Sequence, residues 1–325
     1  MALSNFPQGF TNGVTIRGIP IVQLHPGKVF YVNNSTVLAE NGVGGSDGNP
    51  GTLQRPFSTI DYAIGRCTAG RGDMILVMPG HAETVTSATM INMDVAGVAI
   101  IGLGTGSSRP TLTFTTANTA TIPVSAANMT IKNFLFVGNF LSIAAAITVA
   151  AAPDFSIEDC EFRDTSAILG FLSAVKTTVT VNADRLYIGN SVIKSDATTK
   201  ATAPIVILGT MTGLTVKNNR VTQTVAQNNV SQLVSHAALV MTDALIEGNY
   251  VHSVNTDTAT GAVLVSTTAT TGSGMIIGNR VRALDIAAAI MVTAGAVQYG
   301  LFDNLYIGDG TSNSGFVLPA IGTDA

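Results

Sequence analysis

A six-position pattern recurs along the second half of the chain at nearly constant spacing, and this repeat restricts the fold more than any other feature. It reads apolar, variable, Asn/Asp/Gly, a fourth position often Asn, variable, apolar. The copies are Ile131–Phe136, Ile157–Phe162, Tyr187–Val192, Val216–Val221, Ile246–Val251 and Ile276–Val281, with a looser one at Leu301–Tyr306. Their fourth positions, 134, 160, 190, 219, 249, 279 and 304, advance in steps of 26, 30, 29, 30, 30 and 25. Periods of roughly 20 to 50 residues mark solenoids and related arrays.

Alternating apolar runs accompany the repeat at Ile122–Val124, Ile147–Val149, Val179–Val181, Ile205–Ile207, Val263–Val265 and Ile290–Val292. Alternation marks strands with one buried face. No helical segment long enough for a βαβ crossover lies between them. Each unit is therefore expected to hold at least two short strands around a sharp bend, where Gly and Asn tolerate positive φ. Stacked at about 4.8 Å per coil, such units give an all-β parallel β-helix. In register, Lys132 would sit beside Glu158 and Lys217 beside Glu247, opposite charges on adjacent strands that oppose slippage. Asn190, Asn219, Asn249 and Asn279 would line one corner as an amide ladder.

Composition narrows the function. Charged residues are 11% of the 325 residues, against about 25% in an average domain. Hydrophobic residues are 46%, aromatics 6%, and Trp is absent. This excludes a charge-rich disordered chain, and a net charge of −4 speaks against a basic nucleic-acid binder. The apolar windows Ile143–Ala152 and Ile286–Val297 are too short to span a bilayer. The opening Met1–Pro7 has neither the basic start nor the apolar core of a secretory signal. Cys67 and Cys160 provide no disulfide framework and no metal-ligand spacing. The expectation is a cytoplasmically made chain without cofactor, membrane or nucleic-acid partner, whose low charge calls for burial in an assembly.

Three parts are expected: an N-terminal arm or hairpin over 1–43 for docking and oligomerisation, the β-helix over 44–308, and a tail over 309–325. A capping helix near 58–66, with Ser58 or Thr59 as N-cap, would close the first coil.

The segments Gly45–Ile60, Gly72–Gly80 and Val98–Gly104 resemble right-handed parallel β-helix proteins of the pectate-lyase-like superfamily, over roughly residues 44–308. That superfamily holds polysaccharide lyases and hydrolases, phage tailspikes and non-catalytic structural proteins. The opening Asn5–Pro20 resembles the start of structural proteins of tailed bacteriophages. Together the resemblances imply a virion protein: a capsid decoration or cement subunit on the capsid surface, acting as a homotrimer. It would contact the major capsid protein or other virion proteins through Phe6, Phe10, Ile16, Arg17, Ile19, Val22, Phe30 and Tyr31.

The alternative is a tailspike or fibre-associated polysaccharide depolymerase, or a non-catalytic carbohydrate-binding adhesin. Glycoside hydrolysis needs two carboxylates roughly 5 to 10 Å apart. The one dense acidic stretch is Asp154, Glu158, Asp159, Glu161 and Asp164. Residues two apart on a strand face the same way about 6.5–7 Å apart, which makes Asp159 and Glu161 the candidate catalytic pair. Their expected neighbours are Asn133 and Leu135 in the preceding coil and Gly189 and Ser191 in the next, with no further acid, Arg or His. Carboxylates meeting across a trimer seam, such as Asp184 and Asp243, are a second possibility.

The Gly-His-Gly and Arg-Ile-Lys segments of polygalacturonase-like members are absent. His25, His81, His236 and His252 are scattered, with His81 and Glu83 at the first coil turn. Gly102–Gly106 and Arg71-Gly72-Asp73 read as turns, and Asp47 alone is too few carboxylates for a calcium loop.

Overall fold

A computed structural model describes residues 15–16, 19–20, 27–36, 44–179, 182–195, 203–223, 233–236, 240–253, 262–267, 272–283, 290–293, 298–307 and 315–316. Three parallel sheets run the length of a solenoid, and each full coil contributes one strand to each. Sheet I begins with Val29–Val32, Met74–Val77, Ala99–Gly102, Thr130–Lys132 and Ser156–Glu158, and ends with Gln298–Phe302. Sheet II runs from Ala82–Val85 through Thr111–Phe114, Leu135–Gly138, Glu161–Asp164 and Val192–Ser195 to Leu305–Ile307. Sheet III runs from Ile122–Val124 to Ile290–Thr293. The fold is the expected all-β right-handed parallel β-helix.

Register follows from what each inward row must bury. Along sheet I, Ile75, Ile100, Ile131, Ile157, Ile188, Val216, Ile246 and Ile276 stack coil upon coil in the core. A one-residue slip would turn such a row out to solvent. Sheet II stacks Leu112, Phe136, Phe162, Ile193 and Val221 in the same way, with the rings of Phe136 and Phe162 4.5 Å apart and nearly parallel. The two outward charge pairs form as expected, Lys132 Nζ to Glu158 at 3.0 Å and Lys217 Nζ to Glu247 at 2.9 Å.

The repeat motif spans two strands, the end of one in sheet I and the start of the next in sheet II. A single left-handed residue joins them: Asn133, Asp159, Asn190, Asn218, Gly248, Gly278 and Asp303, with φ between 49° and 64°. Asn, Asp and Gly are the residues that visit this region at least cost. The next residue points inward, and here Asn219, Asn249, Asn279 and Asn304 form a buried ladder. From Asn249 onward each Oδ1 accepts from the backbone and side-chain N–H groups of the preceding Asn, while each of the four Nδ2 groups donates to a backbone carbonyl.

Two expectations fail in one coil. Asn190 is the exposed left-handed residue, and Ser191 holds the ladder position, its N–H donating to Asn219 Oδ1 at 2.9 Å. The ladder steps are thus 160 to 191 and 191 to 219. The sheet III strand of the same coil is Val175–Thr177 rather than Val179–Val181; residues 180–181 lie outside the described residues. Alternation continues from 175 to 181, so either frame fits the pattern. Pairing of Val149 with Thr177 settles it.

The helix Ile60–Gly65 caps the first coil, with Thr59 as N-cap and Ile60, Ala63 and Ile64 buried on the core. Asp47 fixes its start, accepting from the N–H groups of Ser58 (2.8 Å) and Thr59 (3.1 Å). Val29–Val32, expected in an arm outside the coil, instead pairs parallel with Met74–Val77. Loop 44–57 covers its free edge: Tyr31 N–H donates to Gly51, and Phe57 N–H to the Tyr31 carbonyl, each at 2.9 Å. Near the other end, Gly315–Phe316 adds an antiparallel strand to Leu305–Ile307. No helix among the described residues is long and apolar enough to cross a membrane.

Candidate functional site

The acidic stretch is dispersed by the geometry of the coil. Asp154 occupies the corner before sheet I, where Arg185 grips both its oxygens at 2.5 and 2.7 Å. Glu158 stands on the outer face of sheet I, bonded to Lys132 and to Ser156 Oγ at 2.9 Å. Asp159 is the left-handed corner residue, at φ 53°. Glu161 stands on the outer face of sheet II. Asp164 turns inward, where one oxygen accepts from the N–H of Phe171 at 2.9 Å.

The expected pair of Asp159 and Glu161 therefore does not lie on one strand, because a corner intervenes and the two-residue alternation does not apply across it. Their next-coil neighbours are Asn190 and Val192, not Gly189 and Ser191, as the pairing of Glu161 with Val192 shows. Asn133 and Leu135 precede them as expected. Asp159 lies 3.1 Å from Lys132 Nζ, which also holds Glu158.

Glu161 has company the sequence reading missed. Arg109 Nη2 bonds it at 2.5 Å, Lys194 Nζ lies 3.4 Å away and Arg163 Nη1 3.8 Å away. Partial burial alone would raise its pKa, but the Arg109 hydrogen bond and the Lys194 charge together hold it below the usual carboxylate range. It is an anion at neutral pH and has no proton to lend to a leaving group. Lys194 occupies the rung next to Arg163, but the sequence frame that aligns 160 with 190 sets it beside Asp164 instead. Arg109 reaches Glu161 from 52 residues away, and no local spacing signals that.

Other candidates are absorbed into structure. His81 is buried; its Nδ1 accepts from Asn34 N–H at 3.1 Å, and its Nε2 lies 3.3 Å from Glu83 Oε1 without a well-aligned hydrogen bond. That Glu83 oxygen also accepts from the first N–H of the capping helix. In Arg71-Gly72-Asp73 the Asp73 carboxylate is enclosed. Burial opposes its charge, yet hydrogen bonds from Arg71 and from the N–H groups of Thr68 and Lys28 lower its pKa to about 2. No group of three His, Cys, Asp or Glu suited to a metal occurs among the described residues. Asp184 and Asp243 lie on the corner before sheet I, two coils apart, with Thr212 and Gly213 in the coil between them.

Of the expected docking residues, Phe6, Phe10, Arg17 and Val22 lie outside the described residues. Ile16 and Ile19 pair in a small antiparallel ladder. Phe30 packs inward with its ring 5.6 Å from that of Phe57, while Tyr31 is half-buried on sheet I.

The most distinctive surface is the outer face of sheet II. Its two outward rows carry Glu161, Val192, Arg220, Tyr250 and Arg280 in one, and Arg163, Lys194, Thr222, His252 and Arg282 in the other. Arg109 overhangs the first end through its bond to Glu161. The guanidinium of Arg220 covers the Tyr250 ring, 5.4 Å from its centroid.

No family model matches the sequence, and no curated protein shows significant similarity to it. Among solved structures, a rhamnogalacturonan lyase aligns at TM-score 0.49 and 12% identity over 82% of this chain and 74% of its own. A pectin methylesterase from Aspergillus niger aligns at TM-score 0.40 and 14% identity over 90% of each chain. A lacto-N-biosidase from Eubacterium ramulus aligns at TM-score 0.44 and 11% identity over 87% of this chain and 67% of its own. At these identities the likeness is of backbone course and not of residues.

Proposed function

We propose that this chain is a non-enzymatic structural subunit, a capsid decoration protein that acts as an oligomer on the surface of a phage head. The observation that carries this reading is the commitment of the acidic stretch. Asp154, Glu158, Asp159 and Glu161 all sit in ion pairs, and Asp164 is turned into the core. No pair of these carboxylates is left as a proton donor facing a base. The scarcity of charge supports an assembled state, since exposed apolar side chains such as Leu141, Ile168, Met275 and Phe302 gain from cover.

The test is to purify particles and count copies of the chain by quantitative mass spectrometry. A decoration subunit is present in tens of copies or more; a few copies per particle overturns the reading. The depolymerase reading keeps one supporting feature, a half-exposed Asp159 on an open corner. Release of reducing ends from host capsule or lipopolysaccharide, lost in Asp159→Asn, would establish it instead.

A further inference from the structure

The basic face of sheet II is out of proportion to the rest of the molecule. Among the described residues it carries Arg109, Arg163, Lys194, Arg220, Arg280 and Arg282 with one carboxylate on the face itself, Glu161, and two on the corner at its edge, Asp159 and Asp303, the latter 3.7 Å from Arg280. The whole chain has 16 cations and 20 acids, so the remaining ten cations and 19 acids leave everything else at −9. A chain that is acidic overall has placed more than a third of its cations on one narrow face. Arg163, Lys194, Arg220, Arg280 and Arg282 are exposed there.

We propose that this face binds an extended acidic segment of a protein partner, an Asp/Glu-rich stretch laid along the solenoid axis. The proposal deepens the assembly reading by naming the chemistry of the partner.

Three features decide the occupant. The first is shape. From the rung of Arg163 to that of Arg282 are four steps of about 4.8 Å, and the two outward rows lie about 7 Å apart. The stripe is then about 19 Å long and covers about 130 Å², far short of the roughly 800 Å² per side that a globular interface buries. It matches about six residues of extended chain.

The second feature is the cation type. Five of the six are Arg, whose planar fork pairs with carboxylates through two parallel hydrogen bonds. The third is what the face lacks. A sugar chain asks for aromatic platforms and for acceptors that bind its hydroxyls. Here the Tyr250 ring is already covered by Arg220, and the Glu161 carboxylate is already held by three cations. The face offers charge and little else.

The experiment measures fluorescence anisotropy of a labelled oligoglutamate of about eight residues, long enough for the stripe, against the full chain at low and moderate salt. Binding should be saturable and weaken with salt. Arg220→Ala/Arg282→Ala should reduce affinity about tenfold, as loss of two exposed charge pairs allows. Lys132→Ala, on sheet I and paired with Glu158, should leave it unchanged.

Absence of binding overturns the proposal, as does an equal loss in Lys132→Ala. Tighter binding of polygalacturonate or of single-stranded DNA of matched charge also overturns it and reassigns the face. The assembly reading is tested separately by the particle count. If the wild-type chain is abundant on particles and oligoglutamate does not bind, this inference alone falls.

Discussion

Replacing Asn249 by Ala removes the middle of the buried ladder, and the cost can be worked from its bonds. Asn249 Oδ1 accepts from Asn219 N–H at 2.9 Å and from Asn219 Nδ2 at 3.1 Å. Its Nδ2 donates to the Val216 carbonyl at 2.9 Å and to Asn279 Oδ1 at 3.0 Å. All four are lost, while the backbone bond from residue 249 to Asn279 Oδ1 at 2.9 Å survives. A net contribution of about 1 kcal/mol per bond gives about 4 kcal/mol, and the buried Asn219 N–H left without its acceptor keeps the figure from being smaller.

Asn190→Ala is the control. Asn190 belongs to the same sequence repeat but is exposed at the left-handed corner, so its replacement costs only the backbone strain of Ala there, about 1 kcal/mol. Asn249→Asp should cost at least as much as Asn249→Ala at neutral pH, because it buries a carboxylate oxygen against the Val216 carbonyl and Asn279 Oδ1, both acceptors. Urea denaturation followed by far-UV circular dichroism measures all three. If Asn249→Ala destabilises no more than Asn190→Ala, the ladder does not hold the coils together as argued.

Two further outcomes are expected. Burial pushes the thiols of Cys67 and Cys160 up to about 12, so neither should alkylate in the folded protein at about pH 8, and both should in urea; mass spectrometry after iodoacetamide reads this directly. His236 faces the core of sheet III between Ile207 and Thr267, and burial lowers its pKa from 6.5 to about 4. The unfolded chain therefore takes up this proton first, so stability is full above about pH 6.5 and declines as pH falls toward 4. His236→Val should flatten that decline in urea midpoints measured across the window, and an unchanged slope would exclude His236 as its source.

Much of the architecture is legible in the sequence, because the inward row of one coil must match the row beneath it. The Ile131, Ile157, Val216, Ile246 and Ile276 positions show this in the repeat itself. The failure at Asn190 is equally physical. Gly-Asn occurs at 189–190, 248–249 and 278–279, and either residue accepts positive φ, so the string cannot say which one turns the corner. At 248 and 278 Gly turns it; at 190 Asn does. The strand at Val29–Val32 has no repeat motif of its own and is joined to its neighbour only through pairing across 45 residues. The cluster at Glu161 joins residues from separate coils, and coil-to-coil neighbours are visible only once every frame is right.

The single-residue corner also makes the length of this molecule a quantised variable. Asn219, Asn249 and Asn279 present the same bonds to the coil before and the coil after. A recombination joining the chain before Asn219 to the chain from Asn249 would delete 30 residues and leave Asn249 offering Ser191 the acceptor that Asn219 now supplies. The product is shorter by one rung of about 4.8 Å and otherwise unchanged in kind. A lineage carrying this fold can thus gain or lose reach along a surface in fixed increments, without a new core having to be invented.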